Sequence, residues 1–264
     1  MSAVDDLLEE DSGLKAEFAK LPLVQQAVVN WQLQWLQKAH KHQIEPPGEW
    51  WNIWLLMAGR GAGKTRAAAE TLAGWAWEQP NTRWLVSAPT SGDIRGTCFE
   101  GDSGLLEVVP KELILDYNKS LHELKLLNGS FIKGIPASEP ERFRGGQWHG
   151  AWLDELAAWD YLQESWDMIQ FAVRLKLDEA KFPDFRTKII ASTTPKPKPL
   201  VMELIGREGD DVVVTKASTY VNVANLAPSF QKQILQYEGT NLGRQERSEE
   251  HTSELQSRET ISYA

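Results

Sequence analysis

Between an apolar run and an alanine-rich one stands Ala58-Gly59-Arg60-Gly61-Ala62-Gly63-Lys64-Thr65, and no other stretch of the chain constrains its fold as much. Upstream, Trp50-Trp51-Asn52-Ile53-Trp54-Leu55-Leu56-Met57 has the aromatic and branched content of a buried strand. Downstream, Lys64 to Trp77 is rich in alanine and reads as a helix. Strand, glycine-rich turn and helix start, in that order, aim backbone N–H groups at a point where an anion can sit. In such a loop the lysine reaches the β- and γ-phosphate oxygens and the Ser/Thr hydroxyl holds Mg²⁺. Gly59, Gly61, Ala62 and Gly63 are therefore expected to form the cradle for ATP, with Lys64 supplying the charge and Thr65 the metal-binding oxygen. The pattern's first glycine is replaced by Ala58, and the strand and helix on either side compensate for that departure.

Hydrolysis also needs a carboxylate for the metal and a base for water. Ala151-Trp152-Leu153-Asp154-Glu155 offers both at the end of a short apolar strand. Asp154 is expected to hold Mg²⁺ through water, and Glu155 to activate the attacking water. The two can be adjacent because the strand has ended before them; the bland alternative is an acidic first turn capping the next helix. A third motif, Ser192-Thr193-Thr194-Pro195, follows the apolar run Lys188-Ile189-Ile190-Ala191, at the sheet edge where ligands collect in parallel α/β folds.

The rest of the chain alternates. Residues 14 to 40 read as helix, with Leu14, Phe18, Leu21, Val24, Val28, Trp31, Trp35 and Leu36 at three- and four-residue steps and Pro22 dividing it. Strands are expected at residues 83–88, 113–116, 123–127, 130–135, 187–192 and 211–216. Helix-prone stretches run to about residue 109, over 159–177 and over 200–205. Strands separated by helices imply parallel pairing, so the fold class is α/β with a doubly wound, mainly parallel sheet and a small antiparallel hairpin.

Bulk properties narrow the function. A net charge of −9 argues against a protein that coats nucleic acid through its overall field, so any DNA contact is local. The single cysteine, Cys98, reads as a buried thiol in a reducing compartment. The acidic start, Met1 to Asp6, has no apolar signal region, and the longest apolar stretch is too short to span a bilayer, so no membrane association is expected. Asp160, Glu164 and Asp167 read as a solvated helix face, His40 and His42 lack a metal-ligand partner set, and Trp31, Trp35, Trp54, Trp75 and Trp152 read as core. Lys196 and Lys198 read either as an exposed basic loop or as contacts to DNA phosphates.

The three motifs with their flanks closely resemble the ATPase domain of tailed-phage large terminases, of the prophage and gene-transfer-agent type. Gln43 to Trp50, Ala58 to Arg66, Glu141-Arg142-Phe143-Arg144-Gly145, Trp152 to Trp159, Ser192 to Pro195 and Tyr237 to Glu246 carry the resemblance. It implies a P-loop NTPase of RecA/ASCE type, with a helical segment over residues 1–40 leading into an ATPase domain over 41–246. By position it implies that Arg60 contacts the γ-phosphate, that Gln43 reads the adenine edge, and that Ser192, Thr193 and Thr194 form the coupling motif. Arg144, with Arg142 as the close alternative, is implied to serve the neighbouring subunit's nucleotide in a homo-oligomeric ring. The implied partners are double-stranded DNA, a terminase small subunit and a portal protein, in the cytoplasm of a bacterial host. In the family a nuclease domain follows; here residues 247–264 form a polar tail that resembles translated sequencing-adapter contamination, so truncation is expected and no nuclease residue is assigned. The rival readings are a superfamily-2-like helicase or translocase, and an inactive nucleotide-binding fragment.

Overall fold

The computed structural model describes residues 12–225, with side chains from residue 16 to residue 222. Tyr237 to Glu246 and the tail over 247–264 lie outside the described residues. An eight-stranded sheet runs in the order β3-β4-β5-β2-β6-β7-β1-β8. Its strands are β1 (Ile53–Ala58), β2 (Arg83–Ser87), β3 (Ile114–Asn118), β4 (Glu123–Leu126), β5 (Phe131–Gly134), β6 (Gly150–Leu153), β7 (Lys188–Thr193) and β8 (Val212–Ala217). From β5 to β8 every neighbouring pair is parallel, whereas β3, β4 and β5 pair antiparallel as the expected hairpin extension.

The sheet is covered on both faces, and side-chain alternation shows why. In β1, Trp54 and Leu56 join one core with Trp31, Ala68, Leu72 and Trp84, while Ile53, Leu55 and Met57 join the other with Leu153, Trp166 and Leu204. Helices α1 (Ser12–Lys20), α2 (Leu23–Lys38), α3 (Lys64–Glu78) and α4 (Leu105–Val108) precede β3 in the chain; α2, α3 and α4 supply the first core. The second core is closed by α5 (Leu162–Ala172) and α6 (Pro199–Gly206). Burial on both faces is what near-continuous apolar strands such as Ile53-Trp54-Leu55-Leu56-Met57 require.

Several boundaries differ from the sequence expectation, each for a local reason. The strand before the loop begins at Ile53 rather than Trp50; Asn52 and Ile53 both donate their N–H to Asp211 O, which fixes where pairing with β8 begins. The helix-prone stretch to residue 109 breaks into a turn at Ser91–Asp93, a π-type turn at Ile94–Phe99 and α4. Gly101 and Gly104 explain the break, because a Cβ at either would come within 2.7 Å of a backbone carbonyl. Helix α5 ends at Ala172 rather than at residue 177, because Arg174 and Leu175 donate to Trp148 O and hold the chain beside the residues leading into β6. Leu36, placed on the apolar face of α2, is 61% exposed, while Trp31 on the same helix is buried.

Candidate active site

Strand β1 runs directly into the glycine-rich loop and α3 leaves it, with Gly63 as the helix N-cap at φ 82°. That left-handed conformation disfavours any side chain, and a Cβ at Gly63 would lie 2.2 Å from Gln43 Nε2. The positive φ is what favours glycine here, and any side chain would also displace the Gln43 amide. Gly61 also sits at positive φ, 77°. Beside the loop lies a cavity of about 490 Å³, lined among others by Arg60, Gly63, Lys64, Thr65, Asp102 and Glu155. Its size is that of a small-molecule site.

Lys64 is 7% exposed and donates from Nζ to Ala58 O at 2.9 Å and Gly59 O at 3.2 Å. The same ammonium stands 3.4 Å from Glu155 Oε1. The three outer carbonyls of the loop are held by side chains from elsewhere. Asn222 Nδ2 donates to Gly61 O at 2.6 Å, His42 Nε2 bonds Ala62 O at 2.8 Å, and Gln43 Nε2 donates to Gly63 O at 3.1 Å. Carbonyls held in this way fix the shape of a loop whose N–H groups can bind an anion, although Gly59 N and Ala62 N donate to Ala217 O and Gly59 O.

Parallel pairing delivers the second motif to the same edge. Ser87 pairs with Leu153 and Leu153 with Ala191, so the chain leaving β6 emerges beside the end of β7, with β7 lying between β6 and β1. Glu155 then adopts φ 47° and ψ 51°, a left-handed conformation costing a non-glycine residue about 1 kcal/mol. This turn separates two consecutive carboxylates: Glu155 lines the cavity, while Asp154 is buried and accepts a hydrogen bond from Ser192 Oγ at 2.7 Å. Burial pushes the Asp154 carboxyl up to about 6, against the opposing Ser192 hydrogen bond. A cation beside it would restore its ionised form.

Ser192 and Thr193 are the last residues of β7 rather than a turn beyond it, because the run of ladder pairs with β1 continues to Met57–Thr193. Ser192 Oγ also accepts from Glu155 N at 3.2 Å, and Thr193 Oγ1 accepts from Ala157 N at 3.2 Å and donates to Thr194 O. The end of β7 is thus bonded to both carboxylate positions and to the turn after them. Thr194 is buried.

Of the other candidates, one reaches the cavity. Arg60 is exposed and lines the cavity. Gln43 is buried, bonded at both ends of its amide to His40 N and Gly63 O, and does not line the cavity. Arg144 and Arg142 lie on the exposed turn Pro140–Gly145 and pair with Glu141 and Glu139 of that same turn. Neither lines the cavity of its own chain. Cys98 is buried, as its sequence context suggested, and burial raises its thiol well above the ordinary value. Sequence reasoning missed His42 and Asn222; no local spacing marks them.

A family described as terminase large subunit, T4likevirus-type, N-terminal, matches residues 55–257. Among solved structures, the large terminase ATPase domain of Thermus phage P74-26 superposes with a TM-score of 0.56 at 18% identity, covering 80% of this chain and 92% of that one. The large terminase of the thermophilic bacteriophage D6E in complex with ADP gives 0.58 at 11% identity, covering 81% of this chain and 50% of that one. In complex with ATP-gamma-S it gives 0.53 at 14% identity, covering 78% and 48%. The chain therefore spans about half the length of the D6E protein. No curated protein sequence matches it. At these identities the superpositions establish a shared fold, an α/β P-loop NTPase with a mostly parallel sheet. The family match takes in both the loop at the end of β1 and the carboxylates after β6, and by it the chain belongs to the terminase large subunit family.

Proposed function

We propose that this chain is the ATP-hydrolysing motor of a DNA-packaging terminase, driving double-stranded DNA into a procapsid. The observation that carries this reading is the approach of Lys64 to Glu155, 3.4 Å apart, where a cation for phosphate and a base for water meet at one cavity. In it, the loop's N–H groups other than those of Gly59 and Ala62, which donate to Ala217 O and Gly59 O, join the Lys64 ammonium in holding the β- and γ-phosphates. Arg60 reaches the γ-phosphate from the cavity wall, and Gln43 reads the adenine edge only on exchanging its bonds to His40 N and Gly63 O for the base. The oxygen donors fit a divalent cation: Thr65 offers a neutral hydroxyl at the cavity, and Asp154 a carboxylate whose burial an adjacent cation would offset. Mg²⁺ bound there supplies charge neutralisation on phosphate oxygens.

Glu155 takes the proton of the attacking water once Lys64 has turned from it to phosphate. Ser192, bonded to Asp154 and to Glu155 N, and Thr193, bonded to Ala157 N, pass any shift of these carboxylates into β7. Arg144 completes the site in trans, from the next copy in a ring, with Arg142 as its alternative. Its exposed place on a turn remote from its own cavity supports that role, since a guanidinium that arrives only on docking makes turnover depend on assembly. A terminase small subunit, a portal protein and the cytoplasm of a bacterial host complete the setting; among the described residues no helix is long and apolar enough to cross a membrane. The family match favours packaging over a helicase role.

The test separates binding from chemistry. Glu155→Gln should bind ADP as the parent does while Mg²⁺-dependent phosphate release falls by about a hundredfold or more. Release at the parental rate would remove Glu155 as the base. Arg144→Ala should lose turnover by about a thousandfold in the assembled ring and regain part of it when mixed with Lys64→Ala subunits, whose Arg144 is intact. Absence of rescue at every mixing ratio would remove the trans role.

A further inference from the structure

The loop's outer carbonyls are held by donors from opposite ends of the domain. His42 and Gln43 precede β1 in the chain, on the 3-10 turn Lys41–Gln43, and grip Ala62 O and Gly63 O. Asn222 comes from the turn Thr219–Asn225 beyond β8, 161 residues along the chain from the Gly61 carbonyl it holds. A carbonyl oxygen can only accept, so the amide nitrogen of Asn222 must face Gly61 and its Oδ1 must face away. Oδ1 lies 3.2 Å from His40 Nε2, which therefore carries the proton of that bond. His40 in turn donates its backbone N–H to Gln43 Oε1 at 2.8 Å. Asn222 thus closes a ring of hydrogen bonds running from Gly61 through His40 and Gln43 back to Gly63. Asn222 also lines the cavity.

We infer that Asn222 is a positioning residue of the nucleotide site, and that through it the segment leaving β8 senses whether the loop is filled. The inference rests on the nucleotide-binding reading above. Holding Gly61 O fixes the peptide that joins Gly61 to Ala62, whose N–H bonds Gly59 O at 3.4 Å, so the loop meets its ligand already shaped. The coupling is reciprocal: a ligand that fixes the loop also fixes the Asn222 bond, and so orders Thr219–Asn225. That segment follows β8, the last described strand, so a nucleotide-sensitive contact lies on the chain directly after the sheet's described part.

The decisive variant is Asn222→Asp, which keeps the shape and the His40 bond but replaces the donor facing Gly61 O with an acceptor. In the full chain, titration with ADP should show affinity weakened by about tenfold, the loss of one hydrogen bond together with a repulsive contact. KM for ATP should rise in step while kcat stays within about threefold; a purely structural role would lower ligand-free thermal stability without moving ADP affinity. In the parent, ADP should slow amide hydrogen exchange across Thr219–Asn225, and in Asn222→Asp it should not. ADP affinity within about twofold of the parent, or an exchange pattern in the parent indifferent to ADP, overturns the inference. Should Asn222→Asp fail to fold, His40→Ala serves instead, with a weaker loss of the same kind expected. Lys64→Ala separates the two levels: if it binds ADP like the parent, the nucleotide site itself is misassigned, whereas if it abolishes binding while Asn222→Asp is silent, only the role of Asn222 falls.

Discussion

The two edges of the sheet each set a lysine among carboxylates beside a cavity, and they use it in opposite ways. At the edge where the parallel strands begin, Lys188 bonds Glu45 at 3.0 Å, stands 3.7 Å from Glu49, and sits over the rings of Trp51 and Trp75 at 4.6 and 5.9 Å. Trp75 Nε1 donates to the other oxygen of Glu45, so the pair is enclosed by partners. At the edge where the strands end, Lys64 reaches Glu155 only at 3.4 Å, Glu155 is held left-handed, and Asp154 is pushed up to about 6 by burial. The cavity at the beginning edge, about 570 Å³, is the larger of the two. Volume therefore does not locate the chemistry here. One edge pairs its lysine with Glu45 and Glu49, although burial and Glu45 raise the Glu78 carboxyl there; the other adds a left-handed backbone to a fully buried carboxylate, the marks of groups arranged for a ligand.

That contrast breaks if charge removal has the same effect at both edges. The largest expected effect is that of Asp154→Asn. The amide oxygen still accepts from Ser192, but the charge is gone, and Mg²⁺-dependent turnover should fall by about a hundredfold or more. Ligand-free stability should rise instead. A folded-state value of about 6 against an ordinary 3.8 means that the ionised form is disfavoured by burial, each pKa unit being worth about 1.4 kcal/mol. The parent thus carries a penalty of up to about 3 kcal/mol at pH 7 that is relieved as pH falls through 6, and the asparagine variant should not show that pH dependence in thermal denaturation. A variant that lost stability along with activity would place Asp154 with the structural charges. Lys188→Met is the mirror experiment: turnover should hold while stability falls by about 2 kcal/mol, below the cost of breaking a fully buried pair because Glu45 is 35% exposed.

The sequence announces the strained edge and hides the satisfied one. The loop from Gly59 to Thr65 is legible because strand, glycines, lysine and helix are consecutive, and Asp154-Glu155 because both carboxylates follow one apolar run. Neighbours in space but not in sequence are illegible: that β7 lies between β6 and β1, that Lys188 meets Glu45 across 143 residues, or that His40 meets Asn222 across 182. Ser192 and Thr193 were visible as hydroxyls after an apolar run, but their extension of the strand depends on pairing with Met57, which no local propensity encodes. Leu36 shows the converse error, an apolar residue at helical spacing left in solvent because α2 buries a narrower stripe than its periodicity offers.

Smaller changes sharpen the contrast along single strands. Thr193→Val keeps the β-branched shape in β7 but leaves Ala157 N–H without its acceptor, at a cost of about 1–3 kcal/mol if no water replaces it. Because that N–H belongs to the turn after Glu155, turnover should drop by more than ADP affinity does; an equal loss in both would make the bond a plain structural tie.

The smallest effect is expected where β6 begins, at His149. Burial lowers its pKa, with backbone hydrogen bonds opposing the shift and the charge of Arg83 adding to it, and its Nδ1 accepts Arg83 N–H at 3.0 Å, a bond lost if that nitrogen takes a proton. The folded chain then binds this proton more weakly than the unfolded one, so its contribution to stability is complete above the ordinary histidine range and is lost as pH falls below it. Asp154, at the other end of the same strand, runs the opposite way, its penalty shrinking with acid. Two ends of one four-residue strand thus push the stability curve in opposite directions between neutral and mildly acid pH. Denaturation midpoints of Asp154→Asn, His149→Gln and the double variant should separate them: the first flattens the gain of the parent in acid, the second flattens its loss, and the two should add, since the groups lie at opposite ends of β6 and share no hydrogen-bond partner. A His149→Gln curve that still bends downward in acid as the parent does would mean that another group holds the lost proton.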